Sequence, residues 1–126
     1  MRKASTFAVL FLALAGFASG GVAQPRGAQR ALPEIAAGEL PREARDTLEM
    51  IRAGPPYPYE RDGVRFGNRE RLLPPGARDY YREYTVRTPG ARNRGARRIV
   101  CGGAPRTPDA CYYTDDHYRS FAKVRP

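Results

Sequence analysis

Lysine is almost missing from this chain. Of its 22 cationic side chains only Lys3 and Lys123 are lysines; the others are arginines, set against 13 Asp and Glu, for a formal charge of +9 on 126 residues. Two causes fit such an arginine surplus, and composition does not separate them. One is a GC-rich coding sequence, which also favours Ala, Gly and Pro. The other is use of the guanidinium fork, which matches phosphate oxygens. Either way the charge favours polyanions such as nucleic acid or an acidic surface. Histidine is scarcer still, with His117 alone, and there are two cysteines, Cys101 and Cys111. There is no HExxH, no Cys/His cluster and no Asp/Glu cage with ligand spacing, so neither a metal nor a cofactor is expected. The apolar run Phe7 to Phe17 falls short of the roughly 20 residues that cross a bilayer. Internal repeats and low-complexity tracts are also lacking.

That apolar run has another use. Arg2 and Lys3 precede it, and Gly21-Val22-Ala23 follows as a small-x-small cleavage site. Residues 1–23 are therefore read as a secretory signal peptide. The expected product is secreted, extracellular or periplasmic, and free of the membrane after cleavage. Cleavage lowers +9 to +7, since Arg2 and Lys3 leave and no acid goes with them. What remains is long enough for one small domain with a modest core, which a covalent staple would help. An even cysteine count in an exported chain suggests a Cys101–Cys111 disulfide. The other reading is Cys101 as a small buried apolar side chain. A bridge closing about ten residues would contribute roughly 2.5–3 kcal/mol through chain entropy.

Residues 24–38 have weak periodicity and read as a flexible arm, leaving 39–126 as the folded domain. Leu40-Pro41 opens a helix, proline being tolerated at a first turn. Ala44, Leu48 and Ile51 lie on one face of it, and Gly54-Pro55-Pro56 stops it. Turn formers dominate the next stretch, Asp62-Gly63 above all. "YYREYTVRT" (80–88) and "ARRIVC" (96–101) read as strands, "PGARNRG" and "GGAPRTPDA" as loops, "CYYT" and "YRSFAKV" as two short last strands. One helix followed by strands argues for an α+β fold, with the N-terminal helix packed on a twisted antiparallel sheet. Alternation puts Tyr81, Glu83 and Thr85 on one face of the first long strand, and Arg82, Tyr84 and Val86 on the other. In the next strand it pairs Arg98 with Val100, and Ile99 with Cys101. If Tyr84, Val86, Ile99 and Cys101 face the helix, Glu83 and Arg98 share the open side.

Glu83 and His117 could then form an acid–base pair. A carboxylate can take a proton and an imidazole can give one near neutral pH. Arginines between them would bind a phosphodiester and the charge that develops on it. That inventory suits attack by an RNA 2′-hydroxyl on its own phosphorus, without metal. Spacing alone leaves blander readings open: a surface ion pair for Glu83 and a surface loop for His117. The loop Phe66-Gly67-Asn68-Arg69-Glu70 has an aromatic, flexible polar residues and a carboxylate. One carboxylate could accept from guanine N1–H and N2–H while backbone N–H groups donate to O6; the alternative is an ordinary β-turn.

Taken together, "GPPYPYERDGVRFGNRERLLP", "YYREYTVRTPGARNRGARRIVCGG" and "YYTDDHYRSF" resemble the small secreted guanyl-preferring microbial ribonucleases, the barnase-like family and its streptomycete branch in particular. The likeness runs from about Leu40 to Phe121, with motif order and spacing in agreement. It implies the microbial ribonuclease fold, with Glu83 as general base and His117 as general acid. Arg94 and Arg98 would hold the scissile phosphate, with Tyr118 lining that site. It implies a base-recognition loop of Phe66, Asn68, Arg69 and Glu70, with Tyr59 covering the base. Arg92 and Arg97 are peripheral, and Arg87 matches no family role. The implied partners are single-stranded RNA and an acidic barstar-like inhibitor, and the chain is expected to act as a monomer. Three features depart from the family: Gly67 replaces a larger polar residue, the cysteines span a short loop, and residues 24–38 have no evident counterpart. Competing readings are an RNA-binding module without activity, and the same chemistry used as an antibacterial toxin.

Overall fold

The structure, a computed structural model, describes residues 31–126; the expected signal segment and residues 24–30 of the expected arm lie outside the described residues. Strand β1 (Glu34–Ala36) and a 3-10 turn (Ala37–Glu39) lead into helix α1 (Arg42–Ala53). Five strands follow: β2 (Val64–Arg65), β3 (Tyr81–Thr85), β4 (Arg98–Ala104), β5 (Thr107–Thr114) and β6 (Ala122–Arg125). They form one sheet in the order β1-β6-β5-β4-β3-β2. Every pairing is antiparallel except β1 with β6, which is parallel. This is the expected α+β arrangement.

The helix forms where its ends are provided for. The Pro41 carbonyl accepts from the N–H groups of Ala44 and Arg45, and Gly54, at φ +84°, donates its N–H to the Met50 carbonyl. A positive φ there suits glycine. The buried face of α1 meets the sheet through Ala44 and Ile51, against Tyr84, Val86, Ile99, Cys101 and Tyr113. The Thr47 hydroxyl sits 3.0 Å from the Glu43 carbonyl and 3.2 Å from that of Thr85, tying the helix to the end of β3.

The opposite face of the sheet is not uniformly open. Leu73, Tyr81, Val100, Tyr112 and Phe121 bury one part of it. The remainder is polar, and register defines it. Thr85, Arg98 and Thr114 stand opposite one another across β3, β4 and β5, and the next row holds Glu83, Val100 and Tyr112. Cys101 and Cys111 face each other across β4 and β5 on the helix side and are joined by a disulfide.

Four local readings change. Residues 34–36, taken as part of a flexible arm, form the edge strand β1; three residues are too few to show a period, and the partner lies near the far end of the chain. β2, two residues long, was not foreseen for the same reason. Much of 102–110, read as a loop, is strand. Gly103 (φ +100°) sits at a register shift in the β4–β5 pairing, so a glycine and proline signal that suggested a loop marks a bulge and tight hairpin instead. Conversely, of "YRSFAKV" only residues 122–124 are strand, the start of β6, because His117 and Tyr118 turn the chain at positive φ just before that strand.

Candidate active site

Glu83 leaves β3 on the polar face and is 6% exposed. Its Oε1 lies 3.4 Å from Arg94 Nη2 and 3.6 Å from Arg61 Nε. Arg94 is steered by a second contact, its Nε donating to Thr85 Oγ1 at 2.9 Å. Period 2 explains this pairing: Thr85 is two residues beyond Glu83 and on its face. Arg98 is only 3% exposed. Its Nη1 faces the carbonyls of Arg97, Gly95 and Arg94 at 2.7, 3.1 and 3.4 Å. Its Nε is buried with no hydrogen-bond partner among the described residues. A buried unpaired donor is costly and uncommon, and a bound anion is one way to satisfy it.

His117 and Tyr118 sit on the loop after β5 at φ +55° and +70°. The His117 N–H donates to the Ala96 carbonyl at 3.0 Å, and the Tyr118 N–H to Thr114 Oγ1 at 3.2 Å. The two rings meet edge to face at 4.9 Å, and the Arg98 guanidinium lies 5.9 Å from the Tyr118 ring centre. Burial pushes the Tyr118 phenol up, and the Glu83 carboxylate adds to the rise while Arg98 opposes it. Tyr118 therefore stays a neutral hydroxyl donor through the physiological range. Asp116, next to His117, is held at about 2, first by the Ser120 hydroxyl and further by Thr114, with burial opposing.

A cavity of about 280 Å3 opens beside Glu83 and Tyr118. Phe66, Asn68, Arg69 and Glu70 of the expected recognition loop line it as well. Phe66 stacks on Tyr118 at 5.2 Å, which joins the loop to the phosphate side of the site. Asn68 is there as a brace. Its Nδ2 donates to the Leu73 carbonyl at 2.9 Å and its Oδ1 accepts from the Leu73 N–H at 3.1 Å, so its amide shapes the loop from within. Gly67 is not demanded by the backbone: a Cβ there would meet only Arg69 Cγ at 3.6 Å and Nε at 3.9 Å, ordinary contact.

Tyr59 is not brought into this cavity. It lines a separate one with Thr47, Met50, Thr85 and Arg87. The cause is Asp62, whose Oδ2 accepts from the Tyr59 N–H at 3.3 Å and whose Oδ1 accepts from the Thr85 N–H at 2.7 Å. That clamp fastens the segment to the end of β3, beside the helix. Arg61 was missed by the sequence reading although it touches Glu83. It lies in a loop, where no period announces a neighbour. Thr85 was legible as a face-mate of Glu83, but its hold on Arg94 depends on where the 89–95 loop returns.

A carboxylate against two guanidinium groups, a third guanidinium whose buried Nε has no partner among the described residues, and a histidine loop beside a small cavity form a site for a phosphodiester and one adjoining base. A family model described as ribonuclease matches residues 23–125. The chain is 53% identical over 85 residues to guanyl-specific ribonuclease Sa of Kitasatospora aureofaciens, a match covering 68% of this chain and 85% of that protein. It is 50% identical over 95 residues to guanyl-specific ribonuclease Sa3 of the same organism, covering 75% of this chain and 65% of that longer protein. The crystal structure of ribonuclease Sa2 with guanosine-2'-cyclophosphate superposes with a TM-score of 0.69 at 46% identity, over 76% of this chain and 98% of that one. The chain belongs to this ribonuclease family.

Proposed function

We propose that the protein is a secreted, guanyl-specific endoribonuclease that cuts single-stranded RNA without a metal. Glu83 takes the proton of the guanosine 2′-hydroxyl as that oxygen bonds to phosphorus. The bond from phosphorus to the 5′-oxygen of the next nucleotide breaks, and His117 protonates the leaving oxygen. The product is a 2′,3′-cyclic phosphate. In a second step His117 takes a proton from water, Glu83 returns one to the 2′-oxygen, and a 3′-phosphate results. Arg94, Arg98 and the neutral Tyr118 hydroxyl stabilise charge on the phosphoryl oxygens. Glu70 accepts from guanine N1–H and N2–H, with Phe66 and Arg69 flanking the base and Asn68 bracing the loop.

The single observation that carries this reading is the buried Glu83 carboxylate on Arg94, on the same sheet face as the unpartnered Arg98 Nε. The named specificity of the relatives supports the guanine preference. Secretion rests on the segment 1–23, and an acidic inhibitor protein is the second macromolecular partner that +7 would attract.

The test uses protein beginning near Gln24, with chelator present, mixed with GpC and with ApC. Mass spectrometry is expected to find guanosine 2′,3′-cyclic phosphate from GpC, with ApC much slower. Glu83→Ala and His117→Ala are each expected to lose about 10²–10⁴ in rate. Equal cleavage of the two dinucleotides would remove the role of Glu70 and keep the chemistry. Retention of more than about a tenth of the rate by either variant would remove its acid–base role.

A further inference from the structure

A second, larger cavity of about 760 Å3 backs onto the recognition loop. Arg65, Phe66, Gly67 and Asn68 line both it and the Glu83 cavity, so one stretch of backbone is their common wall. Leu73, Pro75 and Tyr81 give the second cavity apolar surface. Arg65, Arg71 and Arg78 give it three guanidinium groups, and no carboxylate lines it among the described residues. Asp79, its side chain 79% exposed, lies 3.9 Å from Arg65 Nη1. Arg78 makes no ion pair among the described residues. The volume lies within the range of about 300–1,000 Å3 usual for ligand sites.

Apolar surface under a cationic rim, with no acid in the lining, suits a nucleotide, with its base on the first and its phosphate on the second. Chain direction follows from the neighbouring site, on which this step rests. The 3′ phosphate of the bound guanosine belongs to Arg94, Arg98 and His117, and none of these lines the second cavity. A strand that occupies both cavities must reach the second from the other end of the guanosine. We propose that this cavity is a subsite for the nucleotide on the 5′ side of the recognised guanosine, with its phosphate on Arg78.

The test compares GpC with UpUpGpC, both cut after the guanosine, using protein beginning near Gln24. The longer substrate is expected to show about a tenfold higher kcat/KM, mainly through KM, because contacts that hold substrate and transition state equally lower KM without raising kcat. Arg78→Ala is expected to remove about fivefold of that gain and leave GpC within about twofold, the size of one charge-assisted contact at an exposed site. Arg78→Lys should retain part of the gain. Arg45→Ala, which removes the same charge from the exposed face of α1, should change neither substrate by more than about twofold. Equal kcat/KM for GpC and UpUpGpC would overturn the subsite while leaving the guanyl-specific reading intact. So would a gain that Arg78→Ala leaves untouched, or one that Arg45→Ala reduces equally. Failure of folded wild-type protein to cut either substrate would overturn the nuclease reading and the subsite together.

Discussion

Asp116→Asn asks how the histidine loop is held. His117 and Tyr118 are successive non-glycine residues at φ +55° and +70°, a conformation that costs roughly 1–2 kcal/mol per residue. The surroundings must offset that cost, and Asp116 is at their centre. Its Oδ1 accepts from Thr114 Oγ1 at 2.8 Å and from the Ser120 N–H at 3.0 Å, and its Oδ2 accepts from the Ser120 hydroxyl. Thr114 Oγ1 in turn accepts from the Tyr118 N–H. These bonds favour the ionised carboxyl and hold it at about 2 against an ordinary 3.8. A folded value below the unfolded one means stability that is present above about pH 4 and lost as pH falls towards 2. At about 1.4 kcal/mol per tenfold change the upper bound is about 2.5 kcal/mol. Asp116 is partly open to water, and screening reduces this to about 1 kcal/mol. Thermal unfolding followed by circular dichroism should therefore place the Tm of Asp116→Asn about 4–8 °C below wild type at pH 7, with the gap closing near pH 2. Loosening the loop should also lower kcat, by up to about 10²-fold for a displacement near 1 Å. A gap of the same size at pH 2 and pH 7, or none at pH 7, would refute the reasoning.

Three further outcomes are expected. Replacing both cysteines by alanine should cost about 2.5–3 kcal/mol in urea unfolding, with GpC cleavage little changed, because the bridge lies on the helix face; a large loss of kcat in the folded variant would contradict that placement. Gly67→Ala should add about 0.4–1 kcal/mol of stability by narrowing the unfolded ensemble and should raise the ratio of GpC to ApC cleavage, since a Cβ meets only ordinary contacts there; a fall in both would show that the loop needs glycine. Tyr59→Ala should lower stability by about 1–2 kcal/mol and leave KM for GpC within about twofold, as Tyr59 lies against the helix; a KM increase beyond tenfold would restore it as a base-covering residue.

The parts of the fold and site that were legible share one property, which is a period carried by enough residues to count. Ala44, Leu48 and Ile51 announce the helix, and alternation through Tyr81–Thr85 and Arg98–Cys101 separates Glu83 and Arg98 from the core side. The parts that were not legible depend on where distant segments return. β1 is three residues whose partner is about ninety positions away. Arg61 reaches Glu83 from a loop. Tyr59 is drawn from the base cavity by Asp62, whose two carboxylate oxygens bind backbone groups on either side of a turn. Asn68 lines the expected cavity, and the bonds of its amide to Leu73 were not legible because no spacing announces them. The larger cavity could not be read at all, since its arginines are scattered through β2 and the loop that follows it, with no spacing to connect them.

Register connects the staple to the chemistry. Glu83, Thr85, Arg98 and Thr114 converge only because β3, β4 and β5 pair as they do: Thr85 opposite Arg98, Arg98 opposite Thr114, Glu83 opposite Val100. A slip of one residue in β4 would turn Arg98 into the packed helix face and bring Ile99 to the site, since side chains alternate with a period of two. Cys101 and Cys111 are direct partners in that same ladder, three residues from Arg98 and from Thr114. Their bond holds β4 against β5 in the one register that puts Arg98 beside Thr114. Thr114 then carries the Asp116 loop, and the loop carries His117. The disulfide on the helix face thus limits the positions open to the polar face, beyond its entropic effect on the unfolded chain. A cysteine-free variant should accordingly show faster hydrogen exchange at the β4 and β5 amides between residues 98 and 114 than its global stability accounts for. Exchange that speeds up uniformly across all strands, by no more than the loss of global stability accounts for, would reduce the bridge to its entropic term.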